Sequence, residues 1–184
     1  MTPLASTVAG LRGAALLARG QAEGAALVEP GPPGAVNSFW ALAVCLPLFG
    51  LLRVLDGNAA DPPFAVGVMT YLVGWLSFAV LSHRAAAALG AGDRWFGFIT
   101  AWNWCSVVQH GLLAAGSLPA WAGLPGAVSA TAALVATGWA IWLEWFATRV
   151  TLGVSRAAAA ALVLLDLAIA VALYGFGAGN GSSG

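Results

Sequence analysis

From Ser38 onward the chain runs in long apolar stretches separated by short clusters of Gly, Pro, Asp and Asn. An apolar run of about 20 residues is what an α-helix needs to cross a hydrocarbon core. The pattern places five such spans at Ser38 to Leu55, Phe64 to Leu89, Trp95 to Gly116, Ala127 to Leu152 and Ala157 to Phe176. Turn-forming residues separate them: Asp56-Gly57-Asn58 with Asp61-Pro62-Pro63, Gly90-Ala91-Gly92-Asp93, Ser117-Leu118-Pro119 through Pro125-Gly126, and Gly153-Val154-Ser155. Ahead of them, Leu11 to Gly20 reads as a short, weakly amphipathic helix with Arg12 and Arg19 on one face, expected at the membrane interface. Glu29-Pro30-Gly31-Pro32-Pro33-Gly34 then reads as a helix-breaking linker. The predicted fold is an all-α, polytopic membrane bundle of five transmembrane helices preceded by an interfacial helix. Its divisions are an N-terminal segment over 1–36, the membrane domain over 37–177 and a flexible tail over 178–184.

Composition strengthens this picture. Of the 184 residues, 60% are hydrophobic and 8% charged, and the mean hydropathy is +0.87, values of the membrane class. Seven arginines balance seven acids and lysine is absent, so no basic patch for nucleic acid exists. Arginine in place of lysine, with abundant Ala, Gly, Val and Leu, points to a GC-rich bacterial genome and hence to the inner membrane. No signal-peptide pattern opens the chain. Cys45 and Cys105 both fall within spans, where free thiols act as small hydrophobes, and their spacing matches neither a metal site nor a disulfide framework.

The arginines also set an orientation. Arg12, Arg19, Arg84, Arg94, Arg149 and Arg156 flank one side of the five spans, and Arg53 alone flanks the other. The positive-inside rule then puts the N-terminus in the cytoplasm and the C-terminus outside. Trp40, Trp95 and Trp121 fall near the expected interfaces, whereas Trp75, Trp102, Trp104, Trp139 and Trp142 fall deeper and are expected between helices.

Polar groups inside the spans carry whatever chemistry the chain has. Thr100, Asn103, Ser106 and His110 recur along one helical face, with Gln109 beside it, and that face should point at protein. Thr137, Glu144, Thr148 and Thr151 stripe the fourth span, and Glu144 is expected to pair with Arg149, together with Arg84, at the cytoplasmic ends. Asp166 lies about 15 Å beyond Arg156 along the fifth span, and Asn103 about 12 Å beyond Trp95, so matched depth predicts an Asn103–Asp166 contact. An acid at mid-bilayer should face the bundle, because exposing it to lipid costs about 2.5 to 3.5 kcal/mol on insertion scales. Two readings follow: Asp166 with Glu144 and His110 forms an ion or proton pathway, or it is a hydrogen-bonded packing residue. His110 has no second ligand at suitable spacing, no cofactor is predicted, and none of the common phosphate-binding, zinc-protease, hydrolase or dinucleotide motifs occurs.

The short helix Leu11-Arg12-Gly13-Ala14-Ala15-Leu16-Leu17, the entry Asn37-Ser38-Phe39-Trp40 with Pro47, the segment Ile99-Thr100-Ala101-Trp102-Asn103-Trp104 and the segment Glu144-Trp145-Phe146-Ala147-Thr148-Arg149 together resemble small Yip1-like membrane proteins of alphaproteobacteria. That resemblance implies a five-span bundle with a cytoplasmic N-terminus and, from the eukaryotic members, a part in membrane shaping and trafficking. The expected function is therefore a non-enzymatic protein that organises membrane or partner proteins. A small transporter or channel using Asp166 and an accessory subunit of a larger complex are the alternatives. The expected partners are the lipid bilayer and another membrane protein or a second copy.

The orientation is directly testable. A reporter active only in the periplasm should work when fused after Gly184 and fail when inserted in the Gly90–Asp93 loop; the reverse pattern would refute the arginine count.

Overall fold

The computed structural model describes residues 3–55, 57 and 63–181, with side chains in the last helix as far as residue 173. Among the described residues it is all helical: α1 (Pro3–Leu17), α2 (Gly31–Ser38), α3 (Trp40–Leu55), α4 (Phe64–Ala88), α5 (Trp95–Trp121), α6 (Gly126–Leu152) and α7 (Arg156–Gly181), with 3-10 turns at Ala22–Leu27 and Gly92–Arg94. Four runs are long and apolar enough to cross a membrane: Gly31–Leu55, Phe64–Ala88, Gly126–Leu152 and Arg156–Leu173. The exception is α5, which is as long as α6 but interrupts its apolar run with Asn103, Gln109 and His110.

Position in the bundle explains the exception. Every residue of α5 from Phe98 to Ser106 is buried, so this helix is surrounded by protein on all sides at that level. It packs most extensively on α6 and α3, and also on α1 and α2. The outer helices turn apolar side chains outward instead, among them Val80 on α4, Leu134 on α6 and Val171 on α7. Apolar surface outside and polar groups inside are what lipid selects, because interior backbone and side-chain dipoles must be satisfied by protein. The arrangement is the helical bundle of a membrane protein.

The pairing of side chains fixes the helix directions. Trp102 meets Glu144 and Gln109 meets Ala140, so α6 runs antiparallel to α5. Tyr71 meets His110, Trp75 meets Asn103 and Ser82 meets Trp95, so α4 does the same. The turn between α6 and α7 is closed by Gly153, whose φ of 61° is left-handed and whose N–H donates to the Arg149 carbonyl. Only glycine adopts this conformation at little cost. The Arg94 guanidinium lies against the same glycine, so the α4–α5 and α6–α7 turns meet at one end of the bundle.

The N-terminal helix is longer than expected and starts earlier. Helix α1 begins at Pro3 and is docked on the bundle through Ser6, Gly10, Gly13, Ala14 and Leu17, all buried along one face, while Arg12 and Arg19 remain exposed. Gly10 sits directly over the Trp104 indole, where any Cβ would overlap the ring. Hydrogen bonds to Ser6, the larger effect, and to Asn37 hold the Glu29 carboxyl below its ordinary range against the opposing effect of burial, tying the start of α1 to α2.

Other boundaries also move. The proline-rich linker is the first turn of α2, because Pro32 and Pro33 occupy positions whose N–H groups have no intrahelical acceptor anyway. Ser117 to Pro119 belong to α5, which continues to Trp121, and α7 extends through Gly181, so the expected tail is helical at its start. The expected turn at residues 56, 58 and 61–62, and the last three residues of the tail, lie outside the described residues. Trp139 and Trp142 are not packed deeply: they are 47% and 37% exposed on α6, with Trp139 donating to the Ala18 carbonyl at the end of α1.

Candidate functional site

The polar face of α5 splits into two sides with different neighbours. On the first side, Asn103 is fully buried and all its bonds go to other helices. Its Oδ1 accepts from the Trp75 indole N–H of α4 at 3.0 Å, and its Nδ2 donates to Ser38 Oγ at the end of α2 at 2.7 Å. Ser38 in turn donates to the Ala35 carbonyl at 2.7 Å. One amide thus joins three helices, at the point where the chain turns from α2 into α3.

The expected Asn103–Asp166 contact is absent: the amide is committed to Trp75 and Ser38, and Asp166 faces elsewhere. The depth match was sound along the helix axis, but it carried no information about direction around it. Helix α7 packs on α4 and α6, with little direct contact to α5. A cavity of about 730 Å³ fills the resulting gap.

This cavity is the second side. It is bounded by α3 to α7, and both Glu144 of α6 and Asp166 of α7 line it. Asp166 therefore faces the bundle, as the cost of a lipid-facing acid requires. Glu144, 5% exposed, accepts a long 3.5 Å hydrogen bond from the Trp102 indole on one oxygen, and its second oxygen has no protein partner among the described residues. Tyr71, Trp75 and Trp102 form an aromatic wall, in which Tyr71–Trp75 and Trp75–Trp102 meet edge to face at 5.6 and 5.2 Å.

His110 and Gln109 lie farther along α5, on the same cavity. The His110 Nδ1 stands 2.7 Å from the Ser106 carbonyl, which can only accept, so Nδ1 carries the proton. Nε2 then takes up the Tyr71 hydroxyl at 3.1 Å, and in the neutral ring it accepts from it. This spends both ring nitrogens on hydrogen bonds. Gln109 donates to the Ala140 carbonyl of α6 at 2.8 Å. Thr100 and Ser106 bond back to the carbonyls of Phe96 and Trp102 within their own helix, which satisfies them without outside partners. Thr148, buried one turn beyond Glu144, has a hydroxyl without a partner among the described residues.

The expected Glu144–Arg149 pair does not form. Five residues place Arg149 about 140° around the helix from Glu144, and its guanidinium lies over the Trp145 ring at 5.6 Å. Arg84, Arg94 and Arg156 are exposed, and His83 packs edge-on against Trp95. Among the described residues no three His, Cys, Asp or Glu side chains are grouped as metal ligands, and Cys45 and Cys105 are free and buried.

Sequence reasoning missed Ser38, Tyr71, Trp75 and Trp102 as polar partners. A signal was present for two of them: Tyr71 and Trp75 are four residues apart and so share a face of α4. Comparison with known protein families, with curated proteins and with solved structures finds no match to this chain.

The two sides of α5 should respond differently to substitution. Asn103→Leu strips partners from two buried groups and should destabilise the bundle by about 1 to 3 kcal/mol in detergent unfolding. Asp166→Asn removes a cavity charge and no hydrogen bond, so stability should hold or rise. Equal losses in both variants would refute the division.

Proposed function

We propose that this chain is a non-enzymatic, five-span protein of the bacterial inner membrane that holds a small solute in its central cavity, in the class of small transporters and channels. The observation that carries this reading is the pair of carboxylates, Glu144 and Asp166, facing a cavity of about 730 Å³. A bundle needing polar groups only for packing would bond them helix to helix, as Asn103 and Gln109 are bonded. These two acids have no cationic partner among the described residues. Acids in lipid-embedded helices lie on water-filled or ligand-filled paths when no residue neutralises them. The cavity is also within the roughly 300 to 1,000 Å³ typical of small-molecule sites.

In this reading α5 is the third of the five spans, shielded from lipid by its neighbours from Phe98 to Ser106, and the arginine-bearing ends face the cytoplasm. The Yip1-like resemblance supports a second reading, in which the protein organises membrane or partner proteins. A specific observation favours it: an apolar groove of about 690 Å³ between α5 and α6, lined by small residues such as Ala115, Gly116 and Ala132. Grooves of this kind admit close helix approach, by a partner or by a larger complex to which this chain is an accessory.

Cysteine accessibility separates the readings. In a background with Cys45→Ala and Cys105→Ala, Ala140→Cys lines the cavity and Ala159→Cys is buried away from it. A membrane-impermeant thiol reagent acts on thiolate and so needs water at the site. Labelling of Ala140→Cys much faster than Ala159→Cys is expected; equal, negligible labelling of both would leave the organising reading in place.

A further inference from the structure

The composition of the cavity narrows what it takes. We infer that the cavity binds an organic monocation, its charge held between Glu144 and Asp166 and its apolar body against Tyr71, Trp75 and Trp102. This rests on the solute-binding reading above and specifies its ligand class.

Charge comes first. Two carboxylates share one low-dielectric space and repel each other, so a positive charge placed between them is stabilised by both. The second oxygen of Glu144 has no protein partner among the described residues, and the residue lines the cavity, so that oxygen is available to a ligand there. Asp166 likewise has no hydrogen bond or ion pair among the described residues. The Arg53 guanidinium stands at the other end of the cavity, against Phe49 and Gly67. Phe49 stacks on Tyr71, which bonds His110, and His110 is about 12 Å along α5 from the Trp102 level of Glu144.

The walls then decide between a metal ion and an organic cation. Calcium takes six to eight oxygen ligands and magnesium near-ideal octahedral coordination, whereas among the described residues Glu144 and Asp166 are the only carboxylates on the cavity. Aromatic rings attract cations, and Trp102, whose indole N–H reaches Glu144, lines the cavity with Trp75 edge-on beside it and Tyr71 farther along. Much of the remaining lining, such as Ile141, Leu167, Ile169 and Leu173, is apolar, which favours a ligand with hydrocarbon around its charge.

A matched pair of probes tests the assignment on the full chain in detergent. Methyltriphenylphosphonium carries a permanent positive charge, and triphenylphosphine oxide is a neutral molecule of nearly the same shape. Titration calorimetry should show the phosphonium binding about tenfold or more tightly than the oxide. Glu144→Gln and Asp166→Asn should each weaken the phosphonium by about tenfold or more, with the oxide unchanged and Asp166→Glu restoring most of the loss. Melting of each variant identifies any that fails to fold, and Asp166→Glu carries the comparison in that case. Equal binding of the two probes, or phosphonium binding indifferent to both carboxylates, overturns the assignment. So does failure of the phosphonium to bind while Ala140→Cys is labelled from water, since the cavity is then open and selects something else. Failure of the labelling itself refutes the solute-binding reading beneath it.

Discussion

A single buried amide makes a polar helix tolerable at the centre of this bundle. Asn103 lies at the most enclosed level of α5, and its acceptor and donor are met by Trp75 from α4 and Ser38 from α2. In lipid the alternative to such bonds is an unsatisfied dipole, so the bonds fix how α5 is rotated as well as where it sits. The continuation from Ser38 to the Ala35 carbonyl extends the constraint into the short helix α2, where the first span bends. Neighbouring α1 fits closely against α5, with Gly10 against Trp104 one residue beyond the amide.

Fixing the rotation of α5 decides what faces the other way. With Asn103 turned to α2 and α4, Trp102, Ser106, Gln109 and His110 border the space in front of α7. Because α7 rests on α4 and α6, that space stays open, and Glu144 and Asp166 enter it from adjacent helices. The same helix therefore has a packing side, where Asn103 is bonded to α2 and α4, and a cavity side that faces the carboxylates of α6 and α7. Structural and chemical roles are separated by angle around one axis.

Much of this was readable from the chain. Apolar length located the long helices, but the first apolar run begins at Gly31 rather than Ser38, α5 runs to Trp121 rather than Gly116 and α7 to Gly181 rather than Phe176. Burial of the Thr100–Asn103–Ser106 face followed from helical spacing and the cost of polar groups in hydrocarbon. The inward turn of Asp166 followed from the same cost. What failed were pairings: Asn103 with Asp166 and Glu144 with Arg149. Depth along a helix is set by sequence position, but azimuth is set by which neighbours pack and how closely, and a single sequence does not encode that locally. Indole and phenol donors were also undervalued, since Trp75, Trp102 and Tyr71 act as both packing surface and hydrogen-bond partners. The close approach of α1 to Trp104 needs the missing side chain of Gly10, in a chain with 24 glycines, so nothing in the sequence singled it out.

The central claim is that the Asn103–Trp75 bond sets the rotation of α5, and a double-mutant cycle tests it most directly. Trp75→Phe, Asn103→Leu and the combined variant would be unfolded in the same detergent, with the interaction free energy taken as the departure from additivity. The account predicts coupling of about 1 kcal/mol, in the range measured for hydrogen bonds between membrane helices. Additivity to within about 0.3 kcal/mol would show that the two side chains act independently, and α5 would then need another origin for its orientation.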